Sequence, residues 1–146
     1  MMFMPRVLLA ECLELEREAL QAVLEEASFE VVACAASGPD AVRLAGQVQP
    51  ELAVLSARMP GLSGINVGRE LSRFASPVPW VLLTSSDEEQ QASDALAAGA
   101  SAYVLTSQSA RELVAALLDA LEGRIYVASA VNGFASLQRQ TSVLTS

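Results

Sequence analysis

Short apolar runs alternate along the chain with longer segments in which apolar residues recur every three or four positions. The runs are nearly continuous, which is typical of strands buried on both faces of a parallel sheet. They predict five strands, at residues 6–10, 29–35, 52–55, 80–84 and 102–105. The helical spacing predicts five helices between and after them, at about residues 13–26, 37–48, 65–74, 85–99 and 110–122.

This alternation predicts a parallel sheet with right-handed crossovers and helices on both faces. For such a pattern the flavodoxin-like strand order 2-1-3-4-5 is one of two common solutions, and its functional crevice lies at the carboxyl ends of strands 1 and 3. We therefore predict a doubly wound five-stranded α/β domain. Its candidate site comprises residues 10–12 and Ser56, flanked by Thr84 and Thr106 at the ends of strands 4 and 5.

The first helix is predicted to bury one side against this sheet. Leu15, Ala19 and Val23 recur at four-residue spacing, with Leu20 and Leu24 beside them, while glutamates occupy the opposite side. We expect the apolar side, including Leu15, to face the core.

Charge and composition exclude several kinds of chemistry. The chain has 146 residues, 52% of them hydrophobic, and a formal charge of −8 from 9 basic and 17 acidic residues. All the basic residues are arginine, so the chain has no lysine and no histidine. An imidazole base, a phosphohistidine, a lysine Schiff base and a Walker-type phosphate loop are therefore excluded. The arginines are scattered, so we do not expect these residues to bind DNA by themselves.

The two cysteines, Cys12 and Cys34, are too few for a disulfide framework and have no histidine with which to form a zinc site. We expect reduced thiols that are mostly buried, and the alternative is a redox switch between the two. No apolar run approaches the roughly 18 residues of a membrane span, and Pro5 interrupts the N-terminal run too early for a signal peptide. We expect a cytoplasmic protein without membrane contacts.

Three segments, in order, resemble the receiver domain of two-component response regulators of the NarL/FixJ type, which has a CheY-like fold. Residues 7–11 with 15–20 are similar to the family's opening strand and helix, residues 50–55 with 58–64 to its third strand and loop, and residues 97–105 to the turn into its fifth strand. The resemblance covers about residues 5–123.

In that family, phosphotransfer uses an aspartate after strand 3, two acids that hold Mg²⁺ after strand 1, a hydroxyl after strand 4 and a lysine after strand 5. The resemblance places Ser56 at the acceptor position and Glu11 and Cys12 at the acid pair. Thr84 retains the hydroxyl, and Thr106 stands in place of the lysine. A further match is Tyr103, which has the position of the family's switch aromatic in strand 5.

These departures imply a degenerate phosphoacceptor site, in which Glu11 is expected to be the only carboxylate of the crevice. We therefore predict an atypical receiver that is independent of phosphorylation and is not an enzyme. No residue is assigned a catalytic or metal-binding role, and Mg²⁺ binding is expected to be weak or absent. These departures argue against a histidine kinase partner. The alternatives are a phosphorelay receiver with unusual acceptor chemistry and a stand-alone ligand- or redox-sensing domain.

Two local features have alternative interpretations. The hydroxyls of Ser56, Thr84 and Thr106 either line a pocket for a small ligand or satisfy backbone groups at the strand ends. Tyr103 is either a rotameric switch or a half-buried strand aromatic.

The domain organisation follows from the same resemblance. Residues 1–123 are predicted to form the receiver, and residues 124–146 a linker or short helix. This segment is expected to lead to a helix-turn-helix domain that has been removed from this chain, because residues 142–146 are similar to the start of such a domain. The protein is expected to bind DNA only through that domain and to form a homodimer through the surface of helix 4, strand 5 and helix 5.

Overall fold

A computed structural model describes residues 3–134, 136, 137 and 139. The strands are β1 (Arg6–Ala10), β2 (Glu30–Ala35), β3 (Leu52–Ser56), β4 (Trp80–Thr84), β5 (Ala102–Leu105) and β6 (Tyr126–Val127). The helices are α1 (Glu14–Glu26), α2 (Gly38–Val48), α3 (Gly64–Ser72), α4 (Glu89–Ala97) and α5 (Ala110–Leu121). None of these helices is long and apolar enough to cross a bilayer.

The strands form one sheet in the order β2-β1-β3-β4-β5-β6, with every neighbouring pair parallel. The predicted α/β class, doubly wound topology and order 2-1-3-4-5 are therefore confirmed. The sixth strand was not predicted, because two residues are too short for a hydrophobic period to be recognised.

Helices cover both faces of the sheet. Leu8 and Leu55 belong to one apolar cluster, which also contains residues of α2, α3 and α4. Val7 and Leu9 point to the other side, into a cluster with Leu24 of α1 and residues of α5. All residues of β3, β4 and β5 are buried. The hydroxyl side chains of β3 and β4, Ser56 and Thr84, are the last residues of their strands.

The prediction for α1 is wrong at Leu15, whose side chain is 79% exposed. The buried position of this helix is Leu24, while Leu20 is partly buried against the same cluster. At 3.6 residues per turn, Leu15 lies about 180° around the helix from Leu24. It therefore faces solvent.

The segment that follows α5 packs against the domain over its described residues. It adds β6 to the outer edge of β5, where the Tyr126 N–H donates to Ser101 O at 3.1 Å and the Ala128 N–H donates to Tyr103 O at 3.0 Å. Further along, Val131 and Leu137 are buried. The predicted linker is thus folded onto the sheet in this part. The residues similar to the start of a helix-turn-helix domain lie outside the described residues.

The same segment covers part of the surface that was expected to form a homodimer. The Asn132 N–H donates to Asp87 O, just before α4, at 2.8 Å. A Cβ atom added to Gly133 would lie 2.3 Å from Glu89 of α4. The surface of α4, β5 and α5 therefore includes residues of this segment.

Close packing fixes α3 against β4. A Cβ atom on Gly68 would lie 2.3 Å from the ring of Trp80, which is fully buried and donates its indole N–H to Ser72 Oγ at 3.0 Å. By contrast, a Cβ atom on Gly46, an exposed residue of α2, would meet no atom within 4 Å.

Gly68→Ala is expected to lower the free energy of unfolding by about 1–3 kcal/mol, because Trp80 must move to admit the methyl group. Gly46→Ala is the matched control and should raise it by about 0.4–1 kcal/mol, since alanine restricts the unfolded chain. Urea denaturation followed by the fluorescence of Trp80 measures both values. Equal effects of the two substitutions would contradict the assigned contact.

Candidate functional site

Because the strands are parallel, the carboxyl ends of β1, β3, β4 and β5 lie together along one edge of the sheet. Ala10 of β1 pairs with Leu55 of β3, and Ser56 of β3 pairs with Leu83 of β4. In the next pair, Thr84 is aligned with Leu105 of β5. Glu11, Cys12 and Thr106, which directly follow β1 and β5, therefore lie at the same edge as Ser56 and Thr84.

Glu11 and Ser56 are joined by a direct hydrogen bond. The Ser56 hydroxyl donates to Glu11 Oε1 at 2.8 Å, and Ser56 itself is only 7% exposed. The other carboxylate oxygen, Oε2, accepts the backbone N–H of Leu13 at 3.1 Å. Both oxygens of the Glu11 carboxylate thus have donors from the protein, and one of these donors is the hydroxyl at the end of β3.

Cys12 is directed away from this pair. Its sulfur lies 3.7 Å from the carbonyl oxygen of Arg58 in the loop after β3, and its side chain is partly buried. The expectation of mostly buried thiols is wrong for Cys34, which is exposed on the edge strand β2, where no further strand covers it. Partial burial of its sulfur raises the pKa of the Cys34 thiol, and the nearby charge of Arg17 opposes that shift. Both cysteines are free.

The Thr84 hydroxyl has different partners. It donates to Gln91 Oε1 at 2.8 Å and accepts the N–H of Ser86 at 3.1 Å. The hydroxyl of Tyr103 lies 3.0 Å from the same Gln91 oxygen and 2.6 Å from Ser86 O, so its single proton is shared between two acceptors. We call Thr84, Ser86, Gln91 and Tyr103 the Thr84 network; it joins β4, the following loop, α4 and β5.

Tyr103 is fully buried rather than half-buried. Burial raises the pKa of its phenol. Gln91 was not identified from the sequence. The available signal was one of two adjacent glutamines, Gln90 and Gln91, near the start of a predicted helix, and this pattern does not indicate which hydroxyl the amide meets.

Thr106 does not join either group. It is exposed, and its backbone N–H donates to Thr84 O at 2.8 Å. The hydroxyls of Ser56 and Thr84 bond to different side chains, Glu11 and Gln91. Thr84 also accepts the backbone N–H of Ser86, so it satisfies a backbone group at the end of its strand. The crevice between α1 and α5 is lined by Thr106 and by two carboxylates, Glu11 and Glu16. The first turn of α1 brings Glu16 to this crevice, whose lining does not include Ser56.

Proteins usually hold Mg²⁺ through one or two carboxylates together with several waters, which makes the acidic side chains at the strand ends the relevant ones. Glu11 is the acidic side chain there, both of its oxygens already accept hydrogen bonds, and Cys12 provides sulfur. Within the described part of the chain, no three histidine, cysteine, aspartate or glutamate side chains are grouped as metal ligands.

The second tyrosine of the chain, Tyr126, lies in β6 at the edge of the sheet. The Tyr126 hydroxyl of β6 donates to the Glu112 carboxylate of α5. Burial, followed by that hydrogen bond, raises the pKa of Tyr126 to about 12.

Comparison with known proteins places these residues in a wider context. A sequence model of the family described as "Response regulator receiver domain" matches residues 7–118. Transcriptional regulatory protein LiaR of Bacillus subtilis is 32% identical over 131 residues, which are 89% of this chain and 62% of LiaR. A probable transcriptional regulatory protein NarL of Mycobacterium tuberculosis is 35% identical over 114 residues, which are 77% of this chain and 53% of that protein. The chain thus spans less than two thirds of these curated relatives.

Solved structures are similar over more of their length. A two-component response regulator of the LuxR family from Aurantimonas has a TM-score of 0.84 at 27% identity, with 97% of this chain and 99% of that chain covered. The signal receiver domain of NarL from Mycobacterium tuberculosis has a TM-score of 0.79 at 31% identity, with 83% and 98% covered.

Alkaline titration should separate the two tyrosines from ordinary phenols. Since the chain contains 2 tyrosines, absorbance at the phenolate band reports these two alone. We expect little ionisation of the native protein at pH 10 and a step at about pH 12 that Tyr126→Phe removes and Tyr103→Phe retains.

Because the pKa of Tyr126 is higher in the folded than in the unfolded protein, the stability that its protonated phenol contributes is complete below about pH 10. It is lost as the pH rises through about 12. The urea-unfolded chain is the control, and its phenols should titrate near pH 10. Ionisation of both phenols near pH 10 in the native protein would contradict the assigned environments.

Proposed function

Because this chain belongs to the response regulator receiver domain family, we propose that it is a phosphorylation-independent receiver that acts through protein contacts in a DNA-binding transcription regulator. The observation that carries the proposal is the hydrogen bond from Ser56 to Glu11. It joins the hydroxyl that stands at the acceptor position to the carboxylate that stands in the acid pair.

The acceptor chemistry supports the proposal. A carboxylate is already an anionic nucleophile at neutral pH, whereas a hydroxyl such as that of Ser56 needs a base to remove its proton. Phosphoryl transfer also relies on a metal ion and basic groups to neutralise the charge of the transferred group. Here Glu11 is engaged with the protein, Cys12 is directed to Arg58 O, and Thr106 is uncharged. We infer that this site does not assemble an Mg²⁺-dependent phosphotransfer centre.

The Thr84 network supports the same conclusion from the neighbouring strands. The hydroxyl of Thr84 is committed to Gln91, and the buried phenol of Tyr103 contacts both Gln91 and Ser86. These contacts hold β4, α4 and β5 together without a phosphoryl group. We infer that the network maintains one arrangement of the α4 surface in the unmodified protein.

A second candidate is favoured by the same hydrogen bond. Glu11 Oε1 lies 2.8 Å from Ser56 Oγ, which is within the reach required of a general base. The alternative is therefore a receiver in which Ser56 accepts the phosphoryl group and Glu11 takes its proton.

Incubation with acetyl phosphate and Mg²⁺, followed by intact-mass measurement, distinguishes the two candidates. The natural chain is expected to gain no phosphoryl group, because nucleophile, metal ligands and counter-charge are all incomplete. A Mg²⁺-dependent gain of one phosphoryl group that Ser56→Ala abolishes would instead establish the second candidate.

The positive control restores the three changed positions together. The variant Cys12→Asp/Ser56→Asp/Thr106→Lys supplies a second acid, an acceptor carboxylate and a lysine, and it should gain one phosphoryl group under the same conditions. Its circular dichroism should match that of the natural chain, since Cys12 and Thr106 lie outside the apolar clusters.

The output surface is the finer part of the proposal. LiaR and the mycobacterial NarL bear the names of transcriptional regulators, and both are longer than this chain. We infer that this domain belongs to such a regulator and that DNA is bound by a separate C-terminal domain. We assign homodimerisation to the surface of α4, β5 and α5, together with residues 124–134 of the segment that packs beside it.

Sedimentation velocity of the 146-residue chain tests this assignment. We expect a dimer without any phosphodonor. Ala97→Arg, on the exposed end of α4, should raise its dissociation constant by about tenfold or more, because an unpaired arginine would be buried at the interface.

Gln47→Arg makes the same charge change on the exposed side of α2 and should leave the dissociation constant unaltered. A monomer at all concentrations, or a dimer that requires acetyl phosphate, would contradict the proposed output.

A further inference from the structure

A cavity of about 280 Å³ lies between α1 and α5, at the edge of the sheet that carries the strand ends. Its walls are apolar and come from four elements. Leu20 and Val23 contribute from α1, Leu83 from β4, Val104 from β5 and Leu113 from α5. Apolar cavities of about 150 Å³ hold a benzene-sized molecule, so this volume suits a body of about ten non-hydrogen atoms.

The mouth of the cavity is acidic. Two acidic residues, Glu11 and the exposed Glu16, are among the residues that line the cavity, and none of the described lining residues is basic. The Arg17 guanidinium lies close to this end of the cavity, where its Nη1 donates to the backbone oxygen of Glu11 at 2.9 Å rather than to the carboxylate. The end of β5 contributes Thr106, which is uncharged.

The apolar walls and the acidic residues of the cavity together favour one class of ligand. A small pocket with apolar walls and a few polar groups at one end binds a molecule whose polarity is distributed in the same way. Two carboxylates within a chain of net charge −8 attract a cation and repel an anion. Glu11 also accepts the Ser56 hydrogen bond, so a ligand at the mouth would lie next to the end of β3.

We propose that the cavity between α1 and α5 is a binding site for a small primary amine with an aromatic or aliphatic body. The body occupies the space between Leu20, Val104 and Leu113, and the ammonium group lies between Glu11 and Glu16.

Calorimetric titration of the 146-residue chain with three matched probes tests the site. Phenethylamine should bind saturably with a dissociation constant on the order of 0.1–1 mM, as expected for about ten non-hydrogen atoms. 2-Phenylethanol has the same body without the charge and should bind about three- to fivefold more weakly. Phenylacetate should not bind, because the mouth repels it.

Glu16→Gln isolates the charge at the mouth. It should weaken phenethylamine about three- to fivefold while leaving 2-phenylethanol unchanged. The matched control, Glu18→Gln, removes the same charge from the same helix at an exposed residue outside the cavity, and it should leave both affinities unchanged. Both positions are exposed, so neither variant is expected to disturb the fold.

Ala19→Trp tests the location of the body. Ala19 lines the cavity from an exposed position on α1, and an indole placed there should abolish binding of both the amine and the alcohol. The proposal is overturned if phenethylamine shows no saturable binding, if the alcohol binds as tightly as the amine, or if Glu18→Gln weakens the amine as much as Glu16→Gln does. Unaltered binding to Ala19→Trp would equally overturn it.

Discussion

Burial of the central strands on both faces is the constraint on which the rest of this structure depends. A residue in β3 or β4 points into one apolar cluster or the other, so a polar side chain within these strands would lose its water on either side. Polar groups are therefore confined to the carboxyl ends. Ser56 and Thr84 stand there, buried but each with a hydrogen-bonding partner.

The partners of these two hydroxyls come from opposite directions along the sheet. Ser56 is paired with Glu11 after β1, while Thr84 is paired with Gln91 of α4. The candidate site is consequently divided into two separate polar groups. Thr106, which follows β5, is exposed and uncharged and belongs to neither group.

The sequence supplies most of the fold and the placement of the strand ends, since alternating apolar runs and helical periods are long-range signals. It does not predict the contact between Gln91 and Thr84, because a single glutamine on an alanine-rich helix forms no repeating pattern that would show which neighbour it faces. Leu15 was assigned to the buried side of α1 because spacing alone ranked it with Ala19 and Val23, whereas the position of the sheet selects Leu24. The sequence also did not show that Glu16 lines the cavity between α1 and α5, because the position of a first-turn residue depends on how the helix packs against the sheet.

The short strand β6 changes what the outer edge of β5 can do. Without Tyr126 and Ala128, the backbone oxygens of Ser101 and Tyr103 that now accept hydrogen bonds would face solvent as an open parallel edge. Such an edge is a template for strands of other chains. A recombinant domain that ends at Gly123, the boundary suggested by the helical pattern, would therefore be prone to aggregation, whereas one that continues past Leu137 keeps its edge capped.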